Sequence, residues 1–211
     1  NKFTVATKTD GTLWAWGLNT GGALGQNTDT AWHSSPIQIP GTNWLDAEVG
    51  DVHALATRTD GTLWAWGDNG YGQVGDNSTT ERSSPIQIPG TNWATMQGLQ
   101  NGTAAVKTDG TLWMWGENQR GELGQNNRTN YSSPKQVPGT NWSTDASKLG
   151  SEQLGIRAIK TDGTLWAWGN NEAGEFGIND KTQYSSPVQL PGTKWSAVAC
   201  SYDAMFVLKD A

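Results

Sequence analysis

The sequence is short of cysteine, of charge and of long apolar runs, and each shortage excludes a class of protein. The one cysteine, Cys200, rules out an internal disulfide framework. It stands in the apolar run Val198–Cys200 and reads as a small buried hydrophobe, leaving the redox compartment open. Charged residues are 16% of the 211, the net charge is −6, and Lys and Arg are scattered singly. A phosphate-neutralising surface needs clustered basic residues, so no nucleic-acid partner is expected. No stretch approaches the length of a membrane span, and no signal peptide is visible. The chain starts at Asn1 without a methionine, which reads as processed or excerpted.

Catalytic and metal chemistry are equally thin. The two histidines, His33 and His53, cannot make a histidine-rich metal site and have no cysteine cluster to join. Asp10, Asp60, Asp109 and Asp162 recur singly, at a spacing that does not cluster carboxylates. Gly-x-Ser-x-Gly and His-Glu-x-x-His are both missing. No cofactor, no metal and no enzymatic activity are expected.

What is abundant is tryptophan, 13 residues, and glycine, 27, the composition of a turn-rich β protein. They fall in one motif, Thr9-Asp-Gly-Thr-Leu-Trp-Ala-Trp-Gly17, which returns at Thr59–Gly67, Thr108–Gly116 and Thr161–Gly169. Asp-Gly between alternating runs signals a two-residue hairpin whose central residues both take positive φ. The pairs Asp10-Gly11, Asp60-Gly61, Asp109-Gly110 and Asp162-Gly163 are therefore expected to reverse the chain. In the first copy they join strands Phe3–Lys8 and Thr12–Trp16. Period two places Trp14 and Trp16 on one face of that second strand, Leu13 and Ala15 on the other. Trp64 and Trp66, Trp113 and Trp115, and Trp166 and Trp168 repeat the pattern. Large on one face and small on the other suits sheets stacked on copies of themselves, each copy's tryptophans over the next copy's leucine and alanine.

The period is about 50 residues, with units about 1–44, 45–93, 94–142 and 143–195, and 196–211 beginning another. Each unit offers four short strands, in the second copy Leu45–Val49, His53–Arg58, Thr62–Trp66 and Pro85–Ile88. Prolines flanking the last mark it as an edge, because proline cannot donate into a ladder. Four strands ending on such an edge predict a propeller blade. Trp44, Trp93, Trp142 and Trp195 close the units and are expected to anchor each crossover.

Trp-Gly-x-Asn-x-x-Gly-x-(Leu/Val/Phe)-Gly, read through Trp16–Gly25, Trp66–Gly75, Trp115–Gly124 and Trp168–Gly177, resembles the core signature of the regulator of chromosome condensation repeat. The resemblance covers essentially the whole chain. It implies an all-β propeller of four-stranded blades, seven in the best-known members, and blades that serve nucleotide exchange, enzyme inhibition or plain protein binding. Two departures stand out. Asn27, Asn77, Asn126 and Asn179 replace a common glycine, which asparagine's tolerance of the left-handed region permits. The family's common histidine before the hairpin strand is present once, as His53.

Phe3–Lys8 and Met205–Lys209 read as the same strand of two units, one more than a closed four-blade ring needs. An arc of about four blades follows, excerpted from a larger propeller or completed by other chains. Function is expected where copies disagree. The loops ahead of Ser-Ser-Pro put Trp32, His33, Arg82, Tyr131 and Tyr184 on one rim, residue types enriched in interface anchors. Loops Leu18–Thr20, Asp68–Tyr71, Glu117–Arg120 and Asn170–Ala173 are expected to crowd another rim region, and Asp145–Arg157 lengthens the third crossover. The reading that results is a non-catalytic scaffold or binding module, a structural or adhesion part of a microbial or viral surface, with a protein partner or self-assembly. A lectin-like glycan binder and a small-GTPase or chromatin regulator are the alternatives.

Overall fold

The computed structural model describes residues 2–29, 32–152, 154–200 and 205–209. It is all-β, with five antiparallel sheets following one another along the chain. The first is β1 (Phe3–Thr7), β2 (Leu13–Gly17) and β3 (His33–Ile39). Three four-stranded sheets follow. They are β4 (Trp44–Val49) to β7 (Arg82–Gln87), β8 (Trp93–Gly98) to β11 (Tyr131–Gln136), and β12 (Leu149–Glu152) to β15 (Tyr184–Gln189). Between the ends of the second sheet lie β5 (His53–Arg58) and β6 (Leu63–Gly67); in the third they are β9 (Gly102–Lys107) and β10 (Leu112–Gly116). In the fourth they are β13 (Gly155–Ile159) and β14 (Leu165–Gly169). The last sheet pairs β16 (Trp195–Cys200) with β17 (Met205–Lys209). Strands β4, β8, β12 and β16 approach one another in turn as inner strands, while β1 lies directly against β4. The inner strands come close enough that a Cβ on Gly98 would stand 2.4 Å from Gly50 N, which requires glycine there. The result is an open arc of about four blades.

The hairpin differs from the sequence expectation. Gly11 has φ of 78°, but Asp10 is not among the residues with positive φ. Gly11 N donates to Lys8 O and Lys8 N to Thr12 O, which is a type I turn closed by a left-handed glycine bulge. Asp10 explains the change. Its Oδ1 accepts from Thr12 N at 3.0 Å and Thr12 Oγ1 at 2.6 Å, a local bond that the right-handed conformation offers. Thr12 Oγ1 in turn accepts from Trp14 Nε1 at 2.9 Å, and the same chain recurs at Asp60, Asp109 and Asp162. Hydrogen bonds from the threonines hold all four carboxyls below the usual carboxylate range.

The stacking order is also reversed. Trp66 packs with Leu13, Ala15, Leu24 and Ile39 of the preceding blade, and Trp115 with Leu63, Ala65, Val74 and Ile88. Each copy's tryptophan thus lies over the copy before it. The two tryptophans of a strand also part company: Trp66 is fully buried in the joint, while Trp64 is half-buried against Trp44 and Arg58. The closing tryptophans begin the next inner strand, at β4, β8 and β16; Trp142 forms a bridge to Lys160. Much of Asp145–Arg157 is ordered, as a 3₁₀ turn at Ala146–Lys148 followed by β12 and the start of β13. The outer strands are edges as expected. Their Ser-Ser-Pro forms a bulge, since the register shifts between Ala65–Ile86 and Gly67–Arg82. The side chain of Cys200 lies outside the described residues.

Candidate functional site

The two ends of the blades are unlike. At one end lie the Asp-Gly hairpins and the Gly-Thr-Asn or Gly-Thr-Lys crossovers, the same in every copy. Trp44 N donates to Gly11 O and Thr59 N to Asn43 O, tying each crossover to the hairpins on either side. A cation lies between two tryptophans here: Arg58 stands 4.3 Å from the Trp44 ring and 4.1 Å from Trp64, and Lys107 and Lys160 repeat the sandwich. The sequence carries this signal as a basic residue directly before every Thr-Asp-Gly, a signal that the motif alone does not interpret.

At the other end every long connection from third to outer strand emerges, because Gly17 pairs with His33, Gly67 with Arg82, Gly116 with Tyr131 and Gly169 with Tyr184. The two variable regions, expected as different regions of the rim, are two parts of one connection at this end. Each connection is built around a buried asparagine. Asn69 Oδ1 accepts from Val74 N at 2.9 Å, and its Nδ2 donates to Ser78 O at 3.1 Å and Thr80 O at 2.9 Å. Asn19, Asn118 and Asn171 do the same for Leu24, Leu123 and Phe176. The asparagine is visible in the repeat motif, yet its role as the hub of the loop needs the tertiary structure.

The expected anchors take different places. Arg82 is bound to Asp76, with Nε 2.7 Å from Oδ2. Burial would raise the Asp76 pKa, but bonds from the Ser78 hydroxyl and Arg82 outweigh it and the carboxyl stays below its usual range. Tyr184 donates to Asp180 Oδ2 at 2.7 Å, which raises its phenol pKa. Tyr131 accepts from Asn127 Nδ2 at 3.1 Å. These three fasten the loops to the outer strands. His33 begins β3 and is half-buried. Trp32 is different: it is 69% exposed, and Leu18 and Tyr71 on the same rim are exposed as well. Residues Thr30 and Ala31 of that loop lie outside the described residues. A cavity of about 290 Å³ opens beside these loops, lined by Lys2, Phe3, Leu18, Thr20, Asp51 and Val52.

His53 belongs to the scaffold rather than to a site. Thr103 Oγ1 donates to Gln73 O at 2.8 Å, so it accepts from His53 Nε2 at 3.2 Å, which fixes the tautomer. Burial lowers the His53 pKa to about 4, against the opposing pull of Asp68. Among the described residues, no group of three or more His, Cys, Asp or Glu is placed to hold a metal.

A succession of four-stranded antiparallel sheets, each seated on the last through a buried indole, defines a β-propeller array. The chain belongs to the regulator of chromosome condensation (RCC1) repeat family, whose repeat matches residues 10–57, 60–97, 109–147 and 162–208. A second form of the repeat matches 46–73. These spans start at the hairpins, so 10–57 and 162–208 take the outer strands of one blade and the inner strands of the next, whereas 60–97 reaches only β8 and 109–147 ends before β12. Human WBSCR16 is similar over 100% of this chain and 56% of its own, at 22% identity and TM-score 0.85. Prp20p of Saccharomyces cerevisiae, described with its binding to Gsp1p and histones, is similar over 94% of this chain and 51% of its own, at 16% identity and TM-score 0.79. Yeast RCC1 (Prp20) bound to Kap60 is similar over 100% and 53%, at 15% identity and TM-score 0.80. The chain spans about half the length of these proteins. At 15–22% identity, what the chain shares with them is the fold.

Proposed function

We propose that this propeller segment is a non-catalytic protein-binding scaffold, that its partner meets the variable rim at Trp32, Leu18 and Tyr71, and that it serves as a structural or adhesion component of a microbial or viral surface. The observation that carries the reading is the division between the two ends. Identical residues are consumed in holding blades together, whereas the connections that vary lie on one rim and expose Leu18, Trp32 and Tyr71 there; the exposed Leu45, Phe206 and Leu208 lie elsewhere, on β4 and β17. Low charge and blades tied to one another by recurring hydrogen bonds suit a rigid surface part. Glycan binding is the second reading, favoured by the exposed Trp32 ring beside His33, since sugars stack on open indoles. Regulation of a small GTPase, suggested by the binding of Prp20p to Gsp1p, has less support here, because this chain covers about half of that protein.

The test is binding of the labelled chain to intact bacterial cells and phage particles, with Trp32→Ala and Leu18→Ser set against Thr42→Ala at the hairpin end. Loss of binding with the rim changes alone is expected. Binding that survives both rim changes, or that the Thr42 change abolishes equally, refutes the rim assignment. Competition by free glycans separates the second reading from the first.

A further inference from the structure

Three of the four rim connections carry a side-chain cap beside their buried asparagine. In the second, Gln73 Oε1 accepts from Tyr71 N at 2.9 Å, and Gln73 Nε2 donates to Asp68 Oδ1 at 2.7 Å. In the fourth, Glu175 Oε2 accepts from Ala173 N at 3.0 Å, and Glu175 Oε1 accepts from Asn170 Nδ2 at 3.3 Å. In both an amide meets a carboxylate, with the order exchanged, so one donates and the other accepts. The first connection has Leu18 and Ala23 at the two positions and lacks such a pair.

The third connection departs from this pairing. Glu122 Oε2 accepts from Arg120 N at 2.8 Å, as its counterparts do from Tyr71 N and Ala173 N. The position that meets the other side-chain atom in the sibling connections is held here by Glu117, so two carboxyls stand where the siblings have a carboxyl and an amide. Glu122 Oε1 is buried and has no hydrogen-bond partner. The residue is 3% exposed, and its surroundings close it in. Glu122 O takes the Trp168 indole in the joint between the third and fourth blades, and a Cβ on Gly121 would stand 2.5 Å from Ser185 Cα. Glu117 is fixed as well, its Oε2 accepting from Asn101 Nδ2 at 2.8 Å. Among the described residues the charged groups acting on Glu122 are Glu117 and Arg120. The neighbouring elements contribute Asn101, Trp168 and Ser185, none of them charged. The Arg120 guanidinium reaches away to the fourth blade, to Asn170 Oδ1 at 3.1 Å and Glu172 Oε2 at 2.8 Å. Burial raises the Glu122 pKa and Glu117 adds to the rise; the amides of Glu122 and Arg120 and the Arg120 charge oppose it and are outweighed.

We infer that Glu122 is a proton-binding site of the rim, held as the neutral acid and donating from Oε1 to the Glu117 carboxylate. The proton does the work of the amide that Gln73 or Asn170 supplies in the sibling connections. A buried carboxylate oxygen without a donor is costly, more so beside a second carboxylate, and one proton relieves both. While it is bound, the cap holds Glu117 and Arg120 N together over the loop around Asn118. Once it leaves, two carboxylates share one buried cap, the connection loosens, and the reach of Arg120 to the fourth blade is lost. The sign follows from burial: the folded chain keeps this proton above the pH at which an unfolded glutamate, with a pKa of 4.5, releases it. The stabilisation is therefore full below that value and is lost as pH rises through the folded one. The inference concerns the shape of one rim connection and stands whether or not a partner meets Trp32.

Thermal unfolding at about pH 5 and about pH 8 tests this on the wild type, Glu122→Gln, which copies Gln73, and Glu81→Gln, which removes an exposed carboxylate of the same rim. Glu122→Gln carries its donor at every pH. It is expected to match the wild type at about pH 5 and to melt about 2–4 °C higher at about pH 8. Glu81→Gln, the control for lost charge, is expected to match the wild type at both. His53 titrates alike in all three chains and cancels at each pH. Should Glu122→Gln fail to fold, Glu117→Gln places the amide on the other partner, as Asn170 does, and the same gain confined to about pH 8 is expected. Carbon NMR of the side-chain carboxyls is expected to show Glu122 titrating at higher pH than the exposed glutamates. A gain from Glu122→Gln that is equal at the two pH values, or equalled by Glu81→Gln, overturns the inference. So does a Glu122 carboxyl that titrates with the exposed ones. Calcium chloride that raises the wild-type melting temperature at about pH 8 and leaves Glu122→Gln unmoved would make a cation the occupant and overturn it too.

Discussion

A methyl group added at Gly75 and at Gly177 tests the joint most directly, because the two positions share a backbone and differ in their neighbour. Both have positive φ, 88° and 65°, so alanine carries roughly 1 kcal/mol of strain at either. At Gly177 nothing lies within 4 Å, and strain is the whole cost. At Gly75 the new Cβ stands 2.4 Å from Trp115 Nε1 and 2.8 Å from Cε2. The indole has to retreat by about 1 Å to reach ordinary contact, and its 2.9 Å bond to Gln73 O then breaks. Overpacking adds about 1–3 kcal/mol and the stranded buried N–H about 1–3 more. Gly75→Ala is thus expected to cost about 3–7 kcal/mol against about 1 for Gly177→Ala. In a domain of this size that separates the melting temperatures by about 10 °C. Thermal unfolding followed by tryptophan fluorescence at dilute protein reads the difference. Equal losses at the two sites would refute the joint, since strain alone would then account for both.

The buried His53 predicts a pH dependence. Its pKa falls from 6.5 in the unfolded chain to about 4 in the folded one, so the unfolded state binds the extra proton between those values. Stability is full above pH 6.5 and declines as pH falls toward 4, by about 3 kcal/mol in total and about 2 by pH 5. His53→Gln should flatten that segment of the urea-midpoint profile; an unchanged slope would assign it elsewhere. Asn118→Ala strands Leu123 N together with Asn127 O and Thr129 O, and is expected to cost about 2–4 kcal/mol. Hydrogen exchange should show loop 117–130 opening ahead of its strands, and uniform loss of protection would count against the hub role.

Much of this molecule is decided by local chemistry, and that part was legible in the sequence. Leu13-Trp-Ala-Trp has one face large and one small whatever surrounds it, because a strand's period is two. Asn27 and its copies adopt φ of 56–64°, as a residue that tolerates the left-handed region can. Proline marked the outer edge and the repeat period marked the blade. The turn type was decided by a bond the dipeptide rule ignores, from the Thr12 amide and hydroxyl to the Asp10 carboxylate.

What the sequence could not carry is direction and occupancy. An alternating strand says that tryptophan meets leucine and alanine across a joint, but the pattern reads the same whichever blade comes first. The sense of stacking was settled only by sheet twist and the path of the crossovers. Arg82, Tyr131 and Tyr184 look in sequence like side chains awaiting a partner, and only folding shows them bound to Asp76, Asn127 and Asp180. Trp32, of the same apparent kind, is left in the open. The repeat fixes the contacts a blade is able to make, and the tertiary arrangement determines which of them are filled between blades and which are left open on the rim.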